Sequence, residues 1–129
     1  MVAGDAGRVD IVYYKANSGL NSNVGFDANG NPMVWNVYFG QSMNALNGGS
    51  NFKSVQISDH PNHLGGICTA GLACSGDRDL LDFFTVDIDH LGAANVVWAD
   101  DNTTRAAIRA TNSPASSLAR ACSRIRTSI

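Results

Sequence analysis

Residues able to do chemistry gather in three places along the chain. In Asp59-His60-Pro61-Asn62-His63 two imidazoles stand three residues apart, with Cys68 a little downstream. His60 and His63 could therefore share one metal ion, joined by Asp59 or Cys68. The bland alternative is a pair of loop histidines held by hydrogen bonds. Asp77, Arg78, Asp79 and Asp82 form the second group. The guanidinium of Arg78 suits an anion or a sugar acid, and the carboxylates of Asp77 and Asp82 suit calcium, which takes oxygen ligands. They lack the regular spacing of a dedicated calcium loop, and an Arg–Asp network tying a long loop in place explains them as well. Asp100 and Asp101 close a strand, where they serve either a ligand at the rim of a sheet or a surface turn. Arg78, Asp77, Asp82, Asp100 and His60 are thus the ligand-binding candidates.

Two of the three cysteines, Cys68 and Cys74, flank Thr-Ala-Gly-Leu-Ala, and the third is Cys122. A Gly-containing segment of this length closes easily, and a disulfide across it contributes about 2–2.5 kcal/mol by chain entropy. Such a bond places the protein in an oxidising compartment. Two free thiols are the alternative, while the spacing is not that of a zinc knuckle. Asn102-Thr103-Thr104 matches a glycosylation sequon, a pattern that also arises by chance.

The 129 residues suffice for one hydrophobic core, and 44% apolar with 16% charged residues is the composition of a folded chain. Net charge is −2, which disfavours nucleic acid or an anionic membrane as partner. No stretch is apolar enough to span a bilayer. The opening Met-Val-Ala-Gly-Asp has neither a basic start nor an apolar h-region, so export would use a signal outside this chain. All eleven acidic residues are Asp, the last being Asp101; Arg105, Arg109, Arg120, Arg124 and Arg126 follow it. The tail is either solvated or a clamp for an acidic surface, such as the body of a second copy.

Period-two alternation dominates the elements that must position these groups. Strands are expected over Arg8–Tyr14, Met33–Phe39, Phe52–Ser58, Leu81–Asp89 and Ala94–Asp100, with a weaker sixth over Arg105–Ala110. Met33, Trp35, Val37 and Phe39 share a face, as do Phe84, Val86 and Ile88, and Val96 and Trp98. Trp35 and Trp98 suit a core better than a sugar platform. Asp27-Ala28-Asn29-Gly30-Asn31-Pro32, Asn47-Gly48-Gly49-Ser50 and Asp89-His90-Leu91-Gly92 supply turns. Asp59–Asp79 is a long Gly-rich loop that the cysteine pair could pin. Leu118, Cys122, Ile125 and Ile129 recur at helical spacing, so the tail, residues 114–129, is expected to hold a short amphipathic helix after the body, residues 1–113. The strands fall into two meanders of three.

Several stretches resemble bacterial sialidase-like proteins with BNR (Asp-box) repeats. They are Gly4-Asp5-Ala6-Gly7-Arg8-Val9-Asp10-Ile11-Val12-Tyr13-Tyr14, Trp35-Asn36-Val37-Tyr38 to Gln41-Ser42, Val55-Gln56-Ile57-Ser58-Asp59-His60-Pro61, Ile67-Cys68 to Cys74, Gly76-Asp77-Arg78-Asp79-Leu80-Leu81-Asp82-Phe83-Phe84 and Val97-Trp98-Ala99-Asp100-Asp101. The match is collinear over roughly residues 2–111. The resemblance implies an all-β fold: antiparallel meander blades of a secreted β-propeller, about two of its C-terminal blades. Ser42-Met43-Asn44 and Asn47 to Phe52 look like a stretched Asp-box, a structural turn in which Asn44 stands for the Asp and Phe52 for the Trp.

Sialidases use an arginine triad and a tyrosine nucleophile activated by glutamate. This chain has no Glu, and no matching motif maps Tyr13, Tyr14 or Tyr38 onto the nucleophile, nor Arg8 or Arg78 onto the triad. The expected function is an extracellular interaction or structural module, binding carbohydrate or building an assembly. The alternative is the C-terminal part of a sialidase-type glycoside hydrolase, with its chemistry in other blades. Two blades leave apolar faces open, so the expected partners are copies of the chain or the missing blades, and three copies would complete a six-bladed ring.

Overall fold

A computed structural model of the chain describes residues 1–47, 51–74, 80 and 84–102, and the backbone of 119–125. The alternating segments form strands β1 (Val2–Ala3), β2 (Val9–Ala16), β3 (Val34–Ser42), β4 (Lys53–Gln56), β5 (His63–Leu64), β6 (Phe84–Ile88), β7 (Ala94–Asp100) and β8 (Ala119–Ile125). All pairings are antiparallel. One sheet runs β1-β2-β3-β4, with β5 also on β3; the other runs β6-β7-β8. The all-β expectation holds, and the only helical turns among the described residues are two short 3-10 segments, Ser22–Val24 and Gly71–Ala73.

The two sheets meet in one apolar core. Val12, Val37 and Phe39 from the first pack with Val86, Ala94, Val96 and Trp98 from the second, and Met33 is fully buried at the start of β3. Burying these side chains supplies about 1.5–3 kcal/mol each, the main force holding sheet to sheet. The inward faces of β3, β6 and β7 match the alternation read from the sequence.

In β2 the inward face is Arg8, Asp10, Val12 and Tyr14, so Val9, Ile11 and Tyr13 face outward. Arg8 and Asp10 are tolerated there because they satisfy each other. Arg8 Nη2 donates to Asp10 Oδ2 at 2.6 Å, Gln41 Nε2 donates to Asp10 Oδ1 at 2.9 Å, and Arg8 Nη1 reaches across to the Gly92 carbonyl at 2.8 Å. On the outer face Tyr13 stacks on Tyr38.

The expected C-terminal helix is corrected. Residues 119–125 pair with the whole of β7, from Asp100↔Ala119 to Ala94↔Ile125. In the sequence the residues at helical spacing do not alternate: Leu118 and Cys122 fall at even positions, Ile125 and Ile129 at odd ones. An isolated helix with so narrow a stripe is marginal in water, whereas an open strand edge offers a partner for every backbone group. The third strand of the second meander is therefore β8. The expected strand 105–110 lies outside the described residues.

The β6–β7 connection is the tight hairpin expected. Asp89 N donates to Ala93 O, Gly92 N donates to Asp89 O, and Asp89 Oδ1 accepts from the Leu91 and Ala93 amides. At the β3–β4 connection Asn44 Oδ1 accepts from Ser42 Oγ and from the Asn51 amide, so Asn44 bridges the two ends of the turn. Phe52 remains exposed.

Candidate functional site

Two surfaces of the fold gather groups that could act. The first lies where the β4–β5 loop of one sheet meets the end of β7 in the other. Pro61 turns the chain so that His60 and His63 both face β7. His60 lies between two carboxylates, with Nδ1 2.6 Å from Asp59 Oδ1 and Nε2 2.7 Å from Asp100 Oδ2. His63, buried, has Nδ1 2.7 Å from Asp101 Oδ2 and Nε2 3.2 Å from Gly66 O. Between them the fully buried Asn62 donates from Nδ2 to Ala99 O at 2.6 Å, and its amide N donates to Trp35 O. Asp100 Oδ1 accepts from the Asn102 amide.

Tyr14 closes this junction from beneath. Its hydroxyl donates to Ala99 O and accepts from Ala99 N, both at 3.1 Å, and its ring meets Phe84 edge-on. Burial pushes the Tyr14 hydroxyl up to about 12, and the charges of Asp100 and Asp101 add to the rise, against the lowering pull of the Ala99 bond. A phenol held this way stays protonated at neutral pH, the opposite of an activated nucleophile.

His60 and Asp100 are thus brought together, and His60 and His63 share a junction without facing one point. All four ring nitrogens already have oxygen partners, so a metal ion would have to displace one. Among the described residues no group of three His, Cys, Asp or Glu side chains is arranged to hold a metal. Asp77, Arg78 and Asp82 lie outside the described residues. The amide of Asn102, first residue of the sequon, is committed: Nδ2 donates to Pro61 O at 2.7 Å.

The second surface was not foreseen from the sequence. Met33 N donates to Gly25 O, and the backbones of Gly25 and Gly66 approach so closely that a Cβ on Gly66 would lie 3.1 Å from Gly25 Cα. Gly25 has φ +78°, a conformation that side chains rarely adopt. These glycines floor an open groove of about 380 Å³ whose walls are Asn23, Val24, Phe26, Pro32 and Leu64. None of its lining residues is charged. Val24, Phe26 and Leu64 are 55%, 53% and 49% exposed. The only sequence signal was bulky apolar residues among glycines in segments that otherwise read as turns.

Beside the groove stands the cysteine ring. Cys68 and Cys74 are disulfide-bonded, as the spacing suggested. The ring is moored to the groove wall by Thr69 N donating to Asn23 Oδ1, and just before it Ile67 N donates to Ser22 O. Trp35, half-buried, donates its indole N–H to Gly65 O beneath the groove, while Trp98 is core, as expected. Compared with models of protein families, with curated proteins and with solved structures, the chain matches none.

Proposed function

We propose that the chain is a non-catalytic interaction module of the cell exterior, and that the groove walled by Val24, Phe26, Pro32 and Leu64 is its binding face. One observation carries the reading: the open, largely apolar groove is lined by no titratable group. Such a surface binds by burying apolar area and has no acid, base or nucleophile to offer. The histidines and Tyr14 point the same way, since their polar atoms are already hydrogen-bonded, in part across the two sheets. The disulfide is compatible with an oxidising compartment. Two meanders packed on one core agree with the resemblance to sialidase-like blades, which stays part of this proposal.

A second reading, the C-terminal part of a sialidase-type hydrolase, draws on β4. All four of its residues are exposed, and Met43, Leu46, Phe52 and Val55 stand uncovered nearby. A further blade would cover them.

The test uses dilute protein and the uncharged apolar dye Nile red. The native chain is expected to bind the dye, and Phe26→Ser combined with Leu64→Ser to lose that binding while keeping the wild-type unfolding midpoint. Unchanged dye binding in the double variant overturns the groove as binding face. Turnover of a fluorogenic sialoside by the purified chain overturns the non-catalytic assignment.

A further inference from the structure

The Cys68–Cys74 ring carries a feature that the fold itself does not use. Leu72 sits in the 3-10 turn Gly71–Ala73 and is 101% exposed, so none of the described residues covers it. Hydrogen bonds from Ala73 N to Ala70 O and from Cys74 N to Gly71 O brace the turn inside its covalent ring. A large apolar side chain is thus held out on a pre-ordered support, which lowers the entropy lost when it is buried. The same ring is moored to the wall of the uncharged groove.

We propose that this face is the contact between two copies of the chain, the Leu72 of each seated in the other's Val24–Phe26–Pro32–Leu64 groove. This rests on the reading of the groove as the binding face, and adds the occupant. The ring that carries Leu72 is bonded to Asn23 of the groove wall, so one region of the chain supplies both halves, as a two-fold contact requires. Charge agrees. In a two-fold contact every charged residue near the axis meets its own copy, and neither the groove lining nor residues 68–74 contain one.

Area agrees as well. At their exposures Val24, Phe26, Leu64 and Leu72 offer on the order of 500 Å² of apolar surface, the upper range that monomers leave open. Two such faces together bury at most roughly 1,000 Å², the lower bound of a specific interface, so the association is weak. The occupant is an apolar knob of the same chain rather than a charged ligand, for which the groove holds no counter-charge.

The experiment is sedimentation equilibrium of the full chain under non-reducing conditions, from about 1 µM to about 1 mM, the range expected for an interface of this size. The native chain is expected to rise from 13.6 kDa to twice that mass. Leu72→Ser and Leu64→Ser should each weaken the association at least about tenfold, a loss of 1.4 kcal/mol. Leu91→Ser, at the β6–β7 turn and also exposed, should associate like the native chain. A native chain monomeric throughout, a trimer, an open-ended series, or a Leu72→Ser variant that dimerises unchanged overturns the proposal. Dye binding by the monomeric Leu72→Ser chain separates the two readings: retained, it leaves the groove standing whatever the occupant; absent, it removes the groove itself.

Discussion

Arg8 and Asp10 show how a charged pair can occupy the inward face of a strand. Both lie on the inward side of β2, 9% and 0% exposed, beside Val12. Their mutual hydrogen bonds, the Gln41 amide and the Gly92 carbonyl leave no charge unpaired. Removing one partner strands the other in the core, so Arg8→Met is expected to lower stability by about 3–5 kcal/mol in urea unfolding, with much of the loss recovered in Arg8→Met/Asp10→Met. Tyr14 makes the second residue-scale prediction. Its folded pKa, about 12, lies above the value of 10.0 for a free phenol. Its contribution to stability is therefore complete below pH 10 and lost as pH rises from about 10 through about 12. Urea midpoints measured across that range should fall for the native chain and fall less for Tyr14→Phe. His60 and His63 were legible as residues of interest, but their partners were not. Asp100 and Asp101 lie some forty residues downstream, and no local spacing encodes a contact made between two sheets.

At the scale of elements, alternation identified β2, β3, β6 and β7, because a strand half-buried on one face must repeat every second residue. It was less informative for β4, all four of whose residues are exposed, Val55 among them. An edge strand with nothing packed on it imposes no pattern that burial must satisfy. It missed β8, whose apolar residues recur at helical spacing and do not alternate; there the free edge of β7 decides the outcome. The cysteine spacing was informative, since a seven-residue ring closes locally. Replacing both cysteines by serine is expected to lower the unfolding free energy by about 2–2.5 kcal/mol, and a reductant should reproduce that drop in the native chain. Loss of stability without loss of either sheet, followed by circular dichroism, is the expected pattern, because the ring hangs on the rim of the fold.

For the whole molecule, composition and alternation by themselves determined an all-β chain, the strands β2, β3, β6 and β7, a Val- and Trp-containing core and a closable cysteine ring. These follow from local rules: the period of a strand, the turn preferences of Asn, Asp and Gly, and the short reach of a small ring. Only the tertiary structure decided how the meanders face each other, which side of β2 turns inward, and that the histidines fasten the end of β7. It alone brought residues 23–26 beside 64–66 to make the groove and set Leu72 next to it. Those contacts join segments about forty residues apart or more, and they depend on which backbones can approach once the core has closed. That is a property of the packed chain as a whole, which no window of sequence contains.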